Sequence, residues 1–328
     1  GDQWLGRAGR HETRHVFNYA RSLVRKTSSY VFPAPVRFSV TPDGDDPAAR
    51  DLANRVERML GSTIAALGLD RLDLALATDA AVIGDAAMKV TWDDARRHPR
   101  VVAVDPAGLV VRTEPGDPWT VAMVHHAYTQ TGQESERLLG WEGTNRLALD
   151  PARSYAVVET WTAQRWRVAI AGQEVIDAPN PYGWIPYVLA ANDPVPGSPW
   201  GTSDLTDLLD VCRELNTRMT VLSRVLEMSG APIAVLENVD GSEGITVGPG
   251  AKWELPEGAK AYLLDLLQGG GAETHFAYID LLYRTLHDLS ETPRTAFGDS
   301  GRDLSGAALE VEIQPLVQKV NRKRRMWD

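Results

Sequence analysis

The chain has 328 residues, 43% of them apolar and 24% charged, which excludes wholesale disorder and leaves room for one large domain or a few modest ones. Its formal net charge of −10 excludes a surface that grips phosphate throughout, so any handling of nucleic acid is either local or relies on a surface that repels it. The single cysteine, Cys212, excludes a disulfide scaffold, a zinc ribbon and CxxC redox chemistry, and fits a reducing compartment. No apolar run approaches the ~20 residues of a spanning helix, and Gly1 to Arg10 hold no apolar core of a secretory signal. With no initiating Met and a helical pattern running to the last residues, the chain is expected to be trimmed at both ends.

Val16, Tyr19, Leu23 and Val24 have helical spacing, and Pro33 and Pro35 end that first helix. Asp46-Pro47 introduces a second helix, in which Leu52, Val56, Met59, Leu60, Ile64 and Leu67 recur on one face. An Ala-rich third helix runs from about Leu69 to Ile83. From Asp85 to Tyr187 the texture changes to short runs of Val, Thr and aromatic residues between Pro, Gly and Asp turns. Strands are expected at Ala87–Trp92, Val101–Val104, Leu109–Arg112, Val121–Tyr128, Tyr155–Thr162 and Arg165–Ala169. Most of the tryptophans lie between Trp92 and Trp200, which suits a compact, mostly antiparallel subdomain. Asn180 to Pro186 is irregular because its prolines and glycine interrupt any element.

Asp204 to Met228 then reads as an uninterrupted helix roughly 37 Å long, with Ser203 at its N-cap and Gly230 and Pro232 stopping it. A Gly-rich interlude over 231–272 contains short strands at Ile233–Leu236 and Ala251–Glu254. A second helix, Glu273 to Leu289, places Phe276, Ile279, Leu282, Tyr283 and Leu286 on one side. Thr292 to Asp303 is a loop, and a last helix from Leu304 carries Leu309, Ile313, Leu316, Val317 and Val320, with Pro315 expected to kink it.

Catalytic motifs fail on context. Gly298-Asp299-Ser300-Gly301 resembles the serine environment of trypsin-like proteases, but Arg302 stands where that family has glycine and the string lies between two helices; it reads as loop chemistry. Gly250-Ala251-Lys252 and Gly258-Ala259-Lys260 do not complete a phosphate-binding loop. His125 and His126, adjacent on a strand, point to opposite faces and cannot readily share a metal. Asp204, Asp207 and Asp210 drift across one side of a helix, as a solvated helix start or a negative channel rim with Arg213. Lys319, Arg322, Lys323, Arg324 and Arg325 form a basic segment: either a solvated helix end or a contact with nucleic acid or an acidic neighbour. Trp327 beyond it points to packing. The residues call for no cofactor and no metal.

The order of these elements resembles the portal proteins of long-tailed bacteriophages, and particular residues carry the resemblance. They are Asn180–Pro186 followed by Asn192, Gly201-Thr202-Ser203-Asp204-Leu205 with Asp210 and Asn216, and Ser229-Gly230-Ala231-Pro232. Thr292-Pro293, Leu304-Ser305-Gly306-Ala307-Ala308-Leu309, and upstream Asn18-Tyr19 through Val24 and Lys26 complete the set. The resemblance implies an α+β portal fold. In it a mixed α/β wing spans 1–203, stem helices 204–229 and 273–291 bracket a clip at 230–272, a tunnel loop spans 292–303, and a kinked helix at 304–328 leads towards a crown.

Arg294, Thr295, Phe297, Asp299 and Arg302 of that loop would face DNA or a neighbouring subunit. The resemblance also implies a non-enzymatic subunit, ringed in twelves at one capsid vertex of the virion and assembled in the host cytoplasm. Its partners would be double-stranded DNA in the channel, the terminase large subunit, the head–tail adaptor, the major capsid protein and scaffold, with no membrane. Two alternatives stay open: a serine hydrolase using Ser300, and another phage structural protein such as a capsid or tail-tube subunit.

Overall fold

The computed structural model describes residues 14–136, 147–230, 233–238, 255, 257–264, 271–299 and 305–327. The chain is α+β and divides into two compact units. A sheet unit comprises Arg21–Thr206 and Thr292–Asp328. A helix-pair unit comprises Asp207–Glu291 and the described residues through Ala20, so most of it is an insertion in the chain of the sheet unit.

The sheet unit starts with helices α1 (Tyr19–Val31), α2 (Pro47–Leu67) and α3 (Leu69–Ile83). Gly68 (φ 64°) and Gly84 (φ 108°) end α2 and α3 in the left-handed region that favours glycine, so the expected boundaries of α3 are met. Of α2 only Ala53 is buried, whereas Leu52 and Met59 stay 56% and 61% exposed. Among the described residues the apolar stripe read along that helix is therefore only partly covered. Leu76 and Ala80 of α3 pack on Ala86 and Ala190 of the sheet beside it.

That sheet is antiparallel in the order β2-β1-β8, from β1 (Asp85–Asp93), β2 (His98–Val104) and β8 (Tyr187–Ala191). A second antiparallel sheet runs in sequence order through β3 (Leu109–Glu114), β4 (Asp117–Thr131), β5 (Ser154–Trp161), β6 (Arg165–Ile170) and β7 (Gln173–Pro179). The strands expected in this region are all present, most of them longer and β5 shifted by one residue. β7 and β8 lack the alternation that reveals the others. β7 forms because Ala171 (φ 53°) and Gly172 (φ 80°) make a two-residue turn with both residues at positive φ, which folds it back on β6. The core of the unit lies between the sheets, where Val124, Val157, Val168 and Ile170, all at 0% exposure, meet Ala87, Val104 and Tyr187.

In the helix-pair unit, α4 (Leu209–Gly230) packs along α5 (Gly271–Leu289), accompanied by an antiparallel pair of strands, β9 (Ile233–Glu237) and β10 (Lys260–Leu264). Leu215, Asn216, Leu222 and Leu286 are buried. The segment ahead of α1 is stitched to α4: His15 N–H donates to Thr220 Oγ1 (3.1 Å) and Phe17 N–H to Asn216 Oδ1 (2.7 Å). Tyr19 meets Tyr283 edge-on at 5.3 Å. The helix expected from Asp204 starts five residues later, after a 3-10 turn at Thr206–Leu208. The expected strand at Ala251–Glu254 lies outside the described residues, and β10 was not foreseen.

Returning to the sheet unit, the segment expected as a loop from Thr292 contains a 3-10 turn, Arg294–Phe297, closed by Gly298 at φ 86°. The last helix, α6 (Gly306–Arg324), is N-capped by Ser305 and runs on through Pro315. Its buried Leu316 and Val320 pack with Val31, Phe32 and Trp327.

Candidate functional site

The segment 192–205 is bonded closely to α3, β1 and α6 where it meets them. A Cβ on Gly201 would lie 2.7 Å from the Gly84 carbonyl and 2.8 Å from the Asn192 nitrogen, so glycine is required for this approach. Gly201 N–H donates to Asp85 Oδ1 at 2.7 Å, Asn192 N–H to the Gly84 carbonyl at 2.9 Å, and Asp204 N–H to the Ala81 carbonyl at 3.0 Å. Ser203 does not cap the long helix. Its hydroxyl accepts from Leu205 N–H and reaches the Val82 carbonyl at 2.7 Å.

Asp204 points into this junction with its side chain 10% exposed. Lys323 Nζ lies 2.8 Å from Oδ1, Lys319 Nζ lies 3.3 Å from Oδ2, and Asn192 Nδ2 donates to Oδ1 at 2.9 Å. Lys323 also donates to Asn192 Oδ1. Burial on its own would raise the Asp204 carboxyl, but the two ammoniums outweigh it and hold it below the usual range. Burial pulls the Lys323 ammonium down, against the opposing pull of Asp204. Arg324 adds donations to the carbonyls of Val31 (2.9 Å) and Tyr30 (2.7 Å), so the C-terminal half of α6 is pinned to both α1 and Asp204.

This arrangement separates residues that the sequence reading grouped. Asp204 belongs to the sheet unit, whereas Asp207, Asp210 and Arg213 belong to the helix-pair unit. There Asp207 is exposed, and Asp210 and Arg213 form an ion pair at 2.6 Å. The basic segment divides too: Lys319 and Lys323 are buried, Arg324 is half-buried on α1, and Arg322 and Arg325 remain exposed. Helical spacing explains the split, because 316, 319, 320 and 323 share the face that packs inward. Trp327 stacks edge-on against Phe32 at 5.4 Å, which is the packing its position suggested.

In the segment after Pro293, Arg294 pairs with Asp299 at 2.8 Å and both remain partly exposed. Thr295 is half-buried, and Lys26 of α1 sits 5.2 Å from the centre of the Phe297 ring. Arg302 and Ser300 lie outside the described residues.

Between the two sheets opens a cleft of about 1290 Å3 whose floor the sequence reading missed. Glu159, 2% exposed, accepts from Lys89 Nζ (2.6 Å), Tyr128 Oη (2.7 Å) and Trp161 Nε1 (2.9 Å). Burial raises this carboxyl, but Lys89 and these hydrogen bonds more than offset it, and the net shift is downward. His126 bonds Tyr187 Oη at 3.0 Å on this side, while His125 bonds Thr160 Oγ1 at 2.8 Å on the other, so the two histidines do face opposite ways. Burial lowers the His126 pKa, favouring the neutral ring. The missed signal was parity: Glu159 shares its face of β5 with Val157 and Trp161, and an acid on an apolar face requires a buried partner.

The charged groups at both places are bonded to one another and hold elements in register. Among the described residues no group of three or more His, Cys, Asp or Glu could hold a metal ion, and no helix is long and apolar enough to cross a membrane. The chain uses the polar residues at both places as fasteners between elements. It belongs to the phage portal protein family: residues 8–328 match the family described as Phage portal protein, SPP1 Gp6-like. That family is structural rather than enzymatic, and its members are capsid-associated and oligomeric. A comparison with curated proteins finds no match.

Proposed function

We infer that the chain is the portal subunit at one vertex of a tailed-phage capsid, twelve copies forming a ring around a channel for DNA packaging and ejection. Residues 1–203 are assigned to the wing, 204–229 and 273–291 to the stem, 230–272 to the clip, 292–303 to the tunnel loop and 304–328 to a helix leading to the crown. The observation that carries this reading is the match over nearly the whole chain, joined to the element order α4, a two-stranded sheet, α5, a short turn, α6. The terminase large subunit and the head–tail adaptor dock on such a ring, and capsid protein and scaffold surround it. ATP hydrolysis belongs to the terminase.

The charge balance supports this role. A formal −10 on each subunit gives a ring of copies a large negative field, which lets DNA pass rather than bind. Arg294 and Arg302 are the local exceptions beside the proposed tunnel loop, the first of them held by Asp299. Negative-stain images of the purified chain should show rings with a central hole; particles without one overturn the reading. Replacing Arg294 and Arg302 together with Ala should leave rings intact and slow or stop DNA packaging, and normal packaging removes the role given to these two arginines.

A further inference from the structure

Two packed helical segments carry a charge opposite to that of the chain around them. The formal total is −10, yet residues 19–31 hold three basic side chains and residues 313–327 hold five, with no Asp or Glu in either stretch. The first stretch is α1, and the second is the C-terminal part of α6 with the turn that follows. Three of these basic residues are engaged within the fold: Lys319 and Lys323 turn inward to Asp204, and Arg324 bonds the carbonyls that end α1.

The outward faces carry most of the others. On α1, Leu23, Val24, Thr27, Ser28 and Val31 are buried, which leaves Arg21, Arg25 and Ser29 exposed at successive turns about 6 Å apart. On α6 the buried set 316, 319, 320 and 323 leaves Gln318, Arg322 and Arg325 exposed. Val31 packs with Leu316 and Val320, and Arg324 reaches Val31 and Tyr30, so the two helices meet at their C-terminal ends. A helix C-terminus is the negative end of its dipole, but the Arg324 guanidinium covers the α1 carbonyls there and offsets it.

We propose that this surface is a contact for the phosphate backbone of double-stranded DNA. The proposal rests on the portal reading above and adds a basic place distinct from Arg294 and Arg302. The exposed side chains of residues 21–31 and 316–327 are arginine, serine, asparagine and glutamine, the donors that phosphate contacts use. None of these exposed side chains is apolar. A protein partner is held by apolar and aromatic anchors at the centre of its interface, whereas a contact with the DNA backbone needs none. The surface also adjoins the segment that the portal reading turns to DNA: Ala296 packs with Val31 and Leu316, and Lys26 sits over Phe297. The negative charge of the rest of the chain keeps the hold local and weak, which suits a cargo that must move on.

Arg25 and Arg325 make no side-chain hydrogen bond or ion pair among the described residues, so replacing them should leave the melting temperature unchanged. A labelled duplex of about 30 base pairs is titrated with the whole chain at about 50 to 200 mM salt and followed by fluorescence anisotropy. Arg25→Glu with Arg325→Glu is expected to weaken binding at least about tenfold at the lowest salt. The slope of log affinity against log salt should become shallower by about 2, one phosphate contact for each arginine. Arg100→Glu with Arg112→Glu, exposed on β2 and β3 of the same unit, matches the charge change and should leave that slope as it is. An equal loss in both pairs means that only net charge is felt and overturns the proposal, as does a parent chain that binds no DNA at the lowest salt. A parent chain that binds a polyglutamate peptide more tightly than the duplex also overturns it, and assigns the surface to an acidic protein. Each of these outcomes leaves the ring reading standing, since rings are seen in negative stain. The expected loss of DNA binding in a chain that forms no rings removes the portal reading and keeps the surface.

Discussion

Asp204 shows how much one side chain can be asked to hold. Two lysines and an asparagine converge on it, and its backbone N–H is bound to α3, so α3, the residue after β8 and α6 meet at one aspartate. Removing one partner of a buried ion pair leaves the others desolvated and uncompensated, at a cost of about 3–5 kcal/mol. Asp204→Ala is therefore expected to lower unfolding stability by that order, measured by urea denaturation. A loss no larger than that of an exposed aspartate would mean the cluster contributes little. The Lys89–Glu159 pair has the same logic, with the difference that Tyr128 and Trp161 also donate to the acid, so its buried carboxylate keeps a full set of hydrogen-bond donors.

Among the elements, α6 depends on its ends and one face. Its N-terminus is closed by Ser305, whose hydroxyl accepts from Ala308 N–H, and its inward face carries Leu316, Lys319, Val320 and Lys323. Ser305→Ala should cost about 1 kcal/mol, read as a fall in melting temperature, because one helix-terminal donor loses its acceptor. A variant as stable as the parent would show that the first turn of α6 is held by its packing alone. The α4 helix starts later than its periodicity suggests because the residues ahead of it are committed elsewhere: Ser203 to the carbonyls ending α3, and Asp204 to the lysines of α6. Apolar spacing does not register such competition, since it records which face a helix would bury and not where its first turn is prevented. On α2 the converse occurs. Its stripe is genuine, yet Leu52 and Met59 stay exposed among the described residues, because periodicity records which face could be buried and not whether an element lies over it.

For the molecule as a whole, protonation sets a directional dependence. His126 is held neutral by burial, so its folded pKa lies below the usual value near ~6.5. As pH falls below about 6.5 the unfolded chain takes a proton that the folded chain refuses, and stability declines. Above that pH the contribution is complete. Asp204 and Glu159 act lower: both carboxyls are depressed in the folded chain, so their stabilisation is full above about pH 4 and is lost as pH drops through their folded values. The melting temperature should therefore fall between pH 7.5 and 5.5, and His126→Gln should flatten that decline. An equally steep decline in the variant would assign it to other groups.

Much of this architecture is legible in the residues. Helical periods with their proline and glycine stops locate α1 to α6, alternation locates most strands, and the order of motifs points to the portal family that the whole-chain match bears out. These are local signals, set by side-chain period and backbone stereochemistry. Pairing across the chain was not legible. That Lys319 and Lys323 turn inward to Asp204, more than a hundred residues away, and that Glu159 finds Lys89, depends on which faces pack against one another. A charge looks alike in sequence whether it meets water or a partner. The fold decides between them, because only there does desolvation make the partner necessary.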